Sequence, residues 1–125
     1  RDPLWSRGLG DVYKRQGEAS VIGISDGKRY RLRLRDIFYF EIVEGRSFLY
    51  CEDRVFECRQ KLYEFETLCR GSMLFRCSKS MILNTDKIAC VRPSVSGRFE
   101  ATLVNQEKVI ISHQYVGELK RMLGI

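Results

Sequence analysis

Residues 21–58 read VIGISDGKRYRLRLRDIFYFEIVEGRSFLYCEDRVFEC. Short β-branched or aromatic runs alternate here with turn chemistry. Val21-Ile22-Gly23-Ile24 is the first run. Ser25-Asp26-Gly27-Lys28 follows, and Asp-Gly tolerates the positive φ that a tight hairpin needs. From Arg29 to Arg35 basic and apolar residues alternate. Period two sets Arg29, Arg31, Arg33 and Arg35 on one face and Tyr30, Leu32 and Leu34 on the other. The arginine row reads as a solvated face, with contact to an anion as the other reading. Asp36 to Val43 is aromatic and β-branched, hence a strand. Glu44-Gly45-Arg46-Ser47 turns the chain into Phe48–Cys51, and Glu52-Asp53-Arg54 turns it again into Val55–Cys58. This is a β-meander with short connections.

After the meander the period changes. Residues 61–70, KLYEFETLCR, place Leu62, Phe65, Leu68 and Cys69 at helical spacing, and Gly71 stops the helix. Strand patterning then returns in Leu74–Cys77, Met81–Leu83, Lys87–Arg92, Arg98–Leu103 and Lys108–Ile111. The polar pieces Ser78-Lys79-Ser80, Asn84-Thr85-Asp86, Pro93–Gly97 and Val104–Glu107 separate them. Ser112 is placed to cap a last helix, Gln114 to Leu123, with Val116, Leu119 and Leu123 as its buried stripe and Gly124 as its stop. The expected fold is mainly β: nine or ten short antiparallel strands with two small helices. There is no βαβ alternation and no long repeat.

The chain has 125 residues with 22 Lys+Arg against 16 Asp+Glu, a formal charge of +6. Residues 1–16, RDPLWSRGLGDVYKRQ, lack any periodicity. Asp11–Gln16 is the translation of a transposon mosaic-end adapter, GAT GTG TAT AAG AGA CAG. Residues 1–16 are therefore expected to be a non-native or disordered leader, an adapter read-through, with a natural flexible tail as the alternative. Residues 17–125 form the domain. Without the leader 18 basic residues face 14 acidic ones, so the domain keeps a charge of +4. No apolar stretch approaches the roughly 18 residues of a membrane span, and no membrane partner is expected. The five cysteines lack both a C-x-x-C pair and an export signal. They read as reduced thiols of a cytoplasmic protein.

Enzymatic chemistry finds little support. There is no Gly-rich phosphate loop, His113 is the single histidine, and the acids are scattered at turns. No catalytic residue, metal, cofactor or small-molecule substrate is expected. Basic residues instead recur in turns beside small polar ones. Arg46 precedes Ser47, Lys79 lies between Ser78 and Ser80, Arg98 follows Ser96-Gly97, and Lys108 follows a turn. Cations beside hydroxyls suit phosphate clamping and the reading of base edges.

Several of these residues also carry a resemblance. Asp36-Ile37-x-Tyr39-x-Glu41, the helix KLYEFE, and Phe75-Arg76-x-Ser78-Lys79-Ser80-x-x-Leu83-Asn84 with Lys87-Ile88 resemble the LytTR-type DNA-binding domain. So do Gly97-Arg98-Phe99, Asn105–Lys108, and Ile111-Ser112-x-x-Tyr115-x-x-x-Leu119-Lys120. The match runs in order from about residue 18 to residue 125. The resemblance implies an elongated β-β-β arrangement of antiparallel sheets with short helices. It implies a bacterial transcription regulator that binds paired promoter repeats in double-stranded DNA, with two copies on one site. Loops entering successive major grooves would map to Gly45-Arg46-Ser47, to Ser78-Lys79 with Arg76 and Ser80 as further contacts, and to His113-Gln114, with Arg98 also at the DNA. Where the family usually offers arginine in the third segment, this chain has His113 and Gln114, and Gln114 can pair with adenine. Many members carry an N-terminal receiver domain, which these 125 residues do not include: either the regulator stands alone or the partner domain was lost upstream.

Two other functions stay open at this level. One is a thiol-based redox sensor at Cys77, whose neighbour Lys79 would lower the thiol pKa; the alternative for Cys77 is an inert packing residue. The other is a β-rich interaction module that binds no DNA. Steep salt dependence separates DNA binding from it.

Overall fold

A computed structural model describes residues 19–125, so the leader expected over residues 1–16 lies outside the described residues. The elements in chain order are β1 (Ser20–Ser25), β2 (Lys28–Arg33), β3 (Tyr39–Val43), β4 (Arg46–Tyr50), β5 (Val55–Cys58), α1 (Leu62–Leu68), β6 (Leu74–Ser78), β7 (Met81–Asn84), β8 (Ile88–Pro93), β9 (Phe99–Leu103), β10 (Lys108–Ile111) and α2 (Val116–Leu123). All pairings are antiparallel. One sheet has the order β2-β1-β5-β4-β3-β7-β6 and the other β10-β9-β8. The β1–β2 hairpin joins β5 through a single pair, Ile24 with Glu57. The strands therefore fall into three blocks: a hairpin, a five-stranded centre and a three-stranded sheet.

Strands β3, β7 and β6 bury both faces, because successive side chains of a strand point to opposite sides. Phe40, Leu74 and Ile82 enter one core with Val21, Ile37, Leu49, Phe56 and Phe65 of α1. Their chain neighbours Tyr39, Phe75 and Leu83 enter a second core with Ala101, Leu103, Val109, Ile111 and Leu119 of α2. Each fully buried side chain of this size is worth about 1.5–3 kcal/mol relative to exposure.

Three details differ from the sequence reading. Residues 36–43 do not run as one strand: Leu34–Asp36 is a 3-10 turn, and β3 begins at Tyr39. The reason is Asn84, fully buried at the end of β7. Its amide Nδ2 donates to the Ile37 carbonyl at 2.9 Å, and its Oδ1 accepts from the Asp86 N–H at 2.9 Å. A side chain, not a neighbouring strand, thus satisfies the backbone there. In α1, Phe65 and Cys69 are buried and Leu62 partly so, but Leu68 lies on the exposed rim. The α1 start is held by the Glu64 carboxylate, which accepts from the Lys61 N–H at 2.8 Å. Ser112 makes no side-chain cap: a 3-10 turn, His113–Tyr115, intervenes before α2.

Removing the Asn84 amide strands the buried Ile37 carbonyl and takes the acceptor from the Asp86 N–H. Asn84→Ala is expected to lower the unfolding free energy by about 1–3 kcal/mol, measured by urea denaturation. An unchanged midpoint would mean that the Ile37 carbonyl finds another donor.

Candidate nucleic-acid interface

Four turns meet along one end of the molecule, and hydrogen bonds or close packing tie each to the next. The β3–β4 turn is centred on Glu44 (φ 52) and Gly45 (φ 79), the two left-handed residues of a type I′ hairpin. Just before it, the Ile42 N–H donates to the Ser80 carbonyl at 2.9 Å, joining this hairpin to the β6–β7 turn. The Ser112 N–H donates to the Cys77 carbonyl at 2.9 Å, joining the segment after β10 to the same turn. The His113 ring in turn lies against Gly97 of the β8–β9 loop, where a Cβ would come 2.5 Å from its Cδ2. Only glycine admits that approach, and Gly97 also has φ 75.

The turn geometry relocates several residues chosen from the sequence. Arg46 and Ser47 open β4 and are not loop residues. Arg46 is exposed but forms a two-pronged ion pair with Glu57, at 2.8 and 3.1 Å. This pairing holds the Glu57 carboxyl below its ordinary range and raises the guanidinium pKa. Ser47 is buried, and its hydroxyl donates to the Gln60 carbonyl at 2.6 Å. Its contribution is to hold residues 59–61 beside the first turn. Arg76 is also engaged inside the molecule, with Ser78, Lys79 and Glu66. Ser78 and Ser80 are half-buried, and Ser78 Oγ accepts from the Ser80 N–H at 3.2 Å.

Lys79 and Arg98 are exposed, and neither forms an ion pair among the described residues. His113 and Gln114 are exposed as well. Lys108 starts β10, opposite Thr102, and so lies at the other end of the small sheet. Two exposed cations were missed from the sequence, Arg59 and Lys61, held next to the first turn by the Ser47–Gln60 bond. A signal for them existed. Cations at the start of a helix oppose its dipole, which stability alone does not favour.

Cys77 lies inside the fold. Its side chain has no exposure and packs in the second core, the one that includes α2. Burial pushes the thiol up to about 12, from an ordinary value of 9. Lys79 does not lower it, because the loss of solvation outweighs any nearby charge. Burial of the thiol favours the packing reading of Cys77 over the sensor reading.

The comparisons with known proteins bear on this arrangement. The family model of the LytTr DNA-binding domain matches residues 27–124. The chain belongs to the LytTR DNA-binding domain family. The sensory transduction protein LytT of Enterococcus faecalis (strain ATCC 700802 / V583) is 26% identical over 96 residues, which are 77% of this chain and 40% of that protein. This LytTR domain thus spans about two fifths of the length of that relative. A solved LytTr DNA-binding domain from Bacillus cereus superposes with a TM-score of 0.79 at 23% identity, over 87% of this chain and 100% of that one. The mainly β fold expected from the resemblance is the fold observed. No helix among the described residues is long and apolar enough to cross a membrane.

The raised thiol pKa values of this LytTR domain are expected to lower its stability at alkaline pH. Burial raises Cys69 to about 12 and Cys51 and Cys58 to about 11, alongside Cys77. In the unfolded chain such thiols ionise from about pH 9. Between that pH and 11 the unfolded state therefore binds fewer protons than the folded state, so stability present below pH 9 falls as pH rises. Urea unfolding at pH 8 and pH 10.5 is expected to show this loss, and Cys77→Ala is expected to lessen its slope. An equally steep fall in Cys77→Ala would assign the effect to other groups. Exposed Cys90 is expected to react first with a thiol reagent.

Proposed function

We propose that this LytTR domain binds double-stranded DNA sequence-specifically and acts as a bacterial transcription regulator in the cytoplasm. On this reading the linked turns enter successive major grooves at promoter repeats. What carries it is the line of tied turns with Lys79 and Arg98 exposed on it and His113-Gln114 alongside. Cations in turns clamp phosphates or read guanine, and an exposed amide such as Gln114 matches the adenine edge. Arg46 reaches a phosphate by exchanging its Glu57 partner. Ser47, Ser78, Ser80 and Arg76 shape the turns that present these groups.

The test is a gel shift with a duplex selected by the wild-type chain from a random-sequence pool. Lys79→Ala and Arg98→Ala are each expected to weaken binding. A base contact costs about 1–3 kcal/mol and relaxes selectivity at one position. A phosphate contact weakens all sequences alike and lowers the salt slope by about one. Unchanged binding by both variants would remove these turns from the interface. Wild-type retention on any partner without salt dependence would favour an interaction module instead.

Binding to paired repeats carries its own expectation. Two copies on one face of the duplex need half-sites about 10 bp apart, or a multiple of it. Inserting about half a turn between the half-sites is expected to abolish cooperativity. Equal binding at every spacing would show that the copies act independently.

A further inference from the structure

The β6–β7 turn is built differently from the other tight hairpins. The Asp26-Gly27 and Glu44-Gly45 turns carry two left-handed residues each, the backbone form that matches the twist of paired strands. The turn between Ser78 and Met81 has neither glycine nor positive φ at Lys79 or Ser80. Its strands compensate with a register shift between Arg76 and Ser78, a bulge that leaves Cys77 without a cross-strand partner. Beyond its backbone form, the Ser78 hydroxyl and the Ile42 N–H each hold Ser80, and a further group must fix Ser78 and Lys79.

Arg76 does so. Its Nε donates to the Ser78 carbonyl at 2.7 Å, and its Nη2 to the Lys79 carbonyl at 3.0 Å. Its Nη1 donates to Glu66 Oε1 of α1 at 3.2 Å. Its Cζ lies 5.8 Å from the ring centroid of Tyr115, in the 3-10 turn that carries His113 and Gln114. The side chain is only 24% exposed. One planar group therefore touches the helix beneath, the turn that presents Lys79, and the segment that presents Gln114. A lysine ammonium lacks the fork that spans two carbonyls and a carboxylate together.

We propose that Arg76 is a positioning residue: it braces the Ser78–Ser80 turn and couples it to the His113–Tyr115 segment, so that both face DNA as one unit. The proposal rests on the duplex-binding reading above. It differs from a phosphate contact, in which the guanidinium would leave the two turn carbonyls and Glu66 to meet the backbone of DNA.

The experiment uses the full chain and its Arg76→Ala and Arg76→Lys variants. Affinity is measured across a salt series for the selected duplex and for a scrambled duplex of equal length. Amide chemical shifts of the free proteins are recorded by NMR, and circular dichroism checks the fold. A brace predicts that both variants lose about tenfold or more on the selected duplex. It also predicts an unchanged salt slope, unchanged affinity for the scrambled duplex, and shifted amides at Lys79, Ser80 and Tyr115. A phosphate contact predicts a slope lowered by about one in Arg76→Ala and affinity restored in Arg76→Lys, which would overturn the proposal. Amides that stay in place around Tyr115 would remove the coupling. Should Arg76→Ala not fold, Arg76→Lys decides alone, since it keeps the charge and loses only the fork. If the wild type shows no salt-dependent duplex binding, the DNA reading fails, and the amide shifts still decide the brace.

Discussion

Strands β3, β7 and β6 must bury both faces, and the rest of the architecture follows from that constraint. One face requires α1 and the curled β1–β2 hairpin; the other requires the three-stranded sheet and α2. Tyr39 beside Phe40, Leu74 beside Phe75 and Ile82 beside Leu83 leave no polar face for these strands to turn toward water. A two-faced core is why short strands and two short helices suffice for a domain of this length. Isolated helices of seven and eight residues would not be stable in water. Asn84 sits at the seam and satisfies backbone that no strand reaches.

The same constraint assembles the candidate interface. Because β3, β6, β7 and the small sheet are packed together, the ends of their strands lie side by side, and four turns distant in sequence become neighbours. Charges belong in those turns for an energetic reason. A cation at a turn remains solvated, whereas one in the doubly buried strands would require a paired and hydrogen-bonded setting. Arg76 is a cation admitted partway into the packing, where it is paired with Glu66 and hydrogen-bonded to two carbonyls.

Much of this was legible in the residues. Asp26-Gly27 and Glu44-Gly45 announced hairpins, and the alternation from Arg29 to Arg33 announced which face of β2 is wet. The motif around Phe75–Asn84 announced the family. Other features were not legible. Arg46 and Ser47 look like loop residues until the turn is seen to close one residue earlier. A serine beside an arginine in sequence carries no mark that its hydroxyl faces the Gln60 carbonyl instead of solvent.

Local chemistry, then, determined the elements of this protein: strand alternation, turn residues and helix spacing act over a few neighbouring positions, and a single sequence displays them directly. Family membership was equally readable, since it rests on residue types in order. Tertiary structure alone decided which polar groups are spent inside the fold and which remain for a ligand. Cys77 beside Lys79 looked reactive, yet the packing of the second core around it desolvates the thiol and holds it protonated. Arg76 looked like a contact and is engaged as a brace, while Lys79, three residues on, stays exposed. Desolvation and hydrogen-bond partnership depend on atoms brought from distant parts of the chain, and that is the physical reason sequence neighbours could not reveal them.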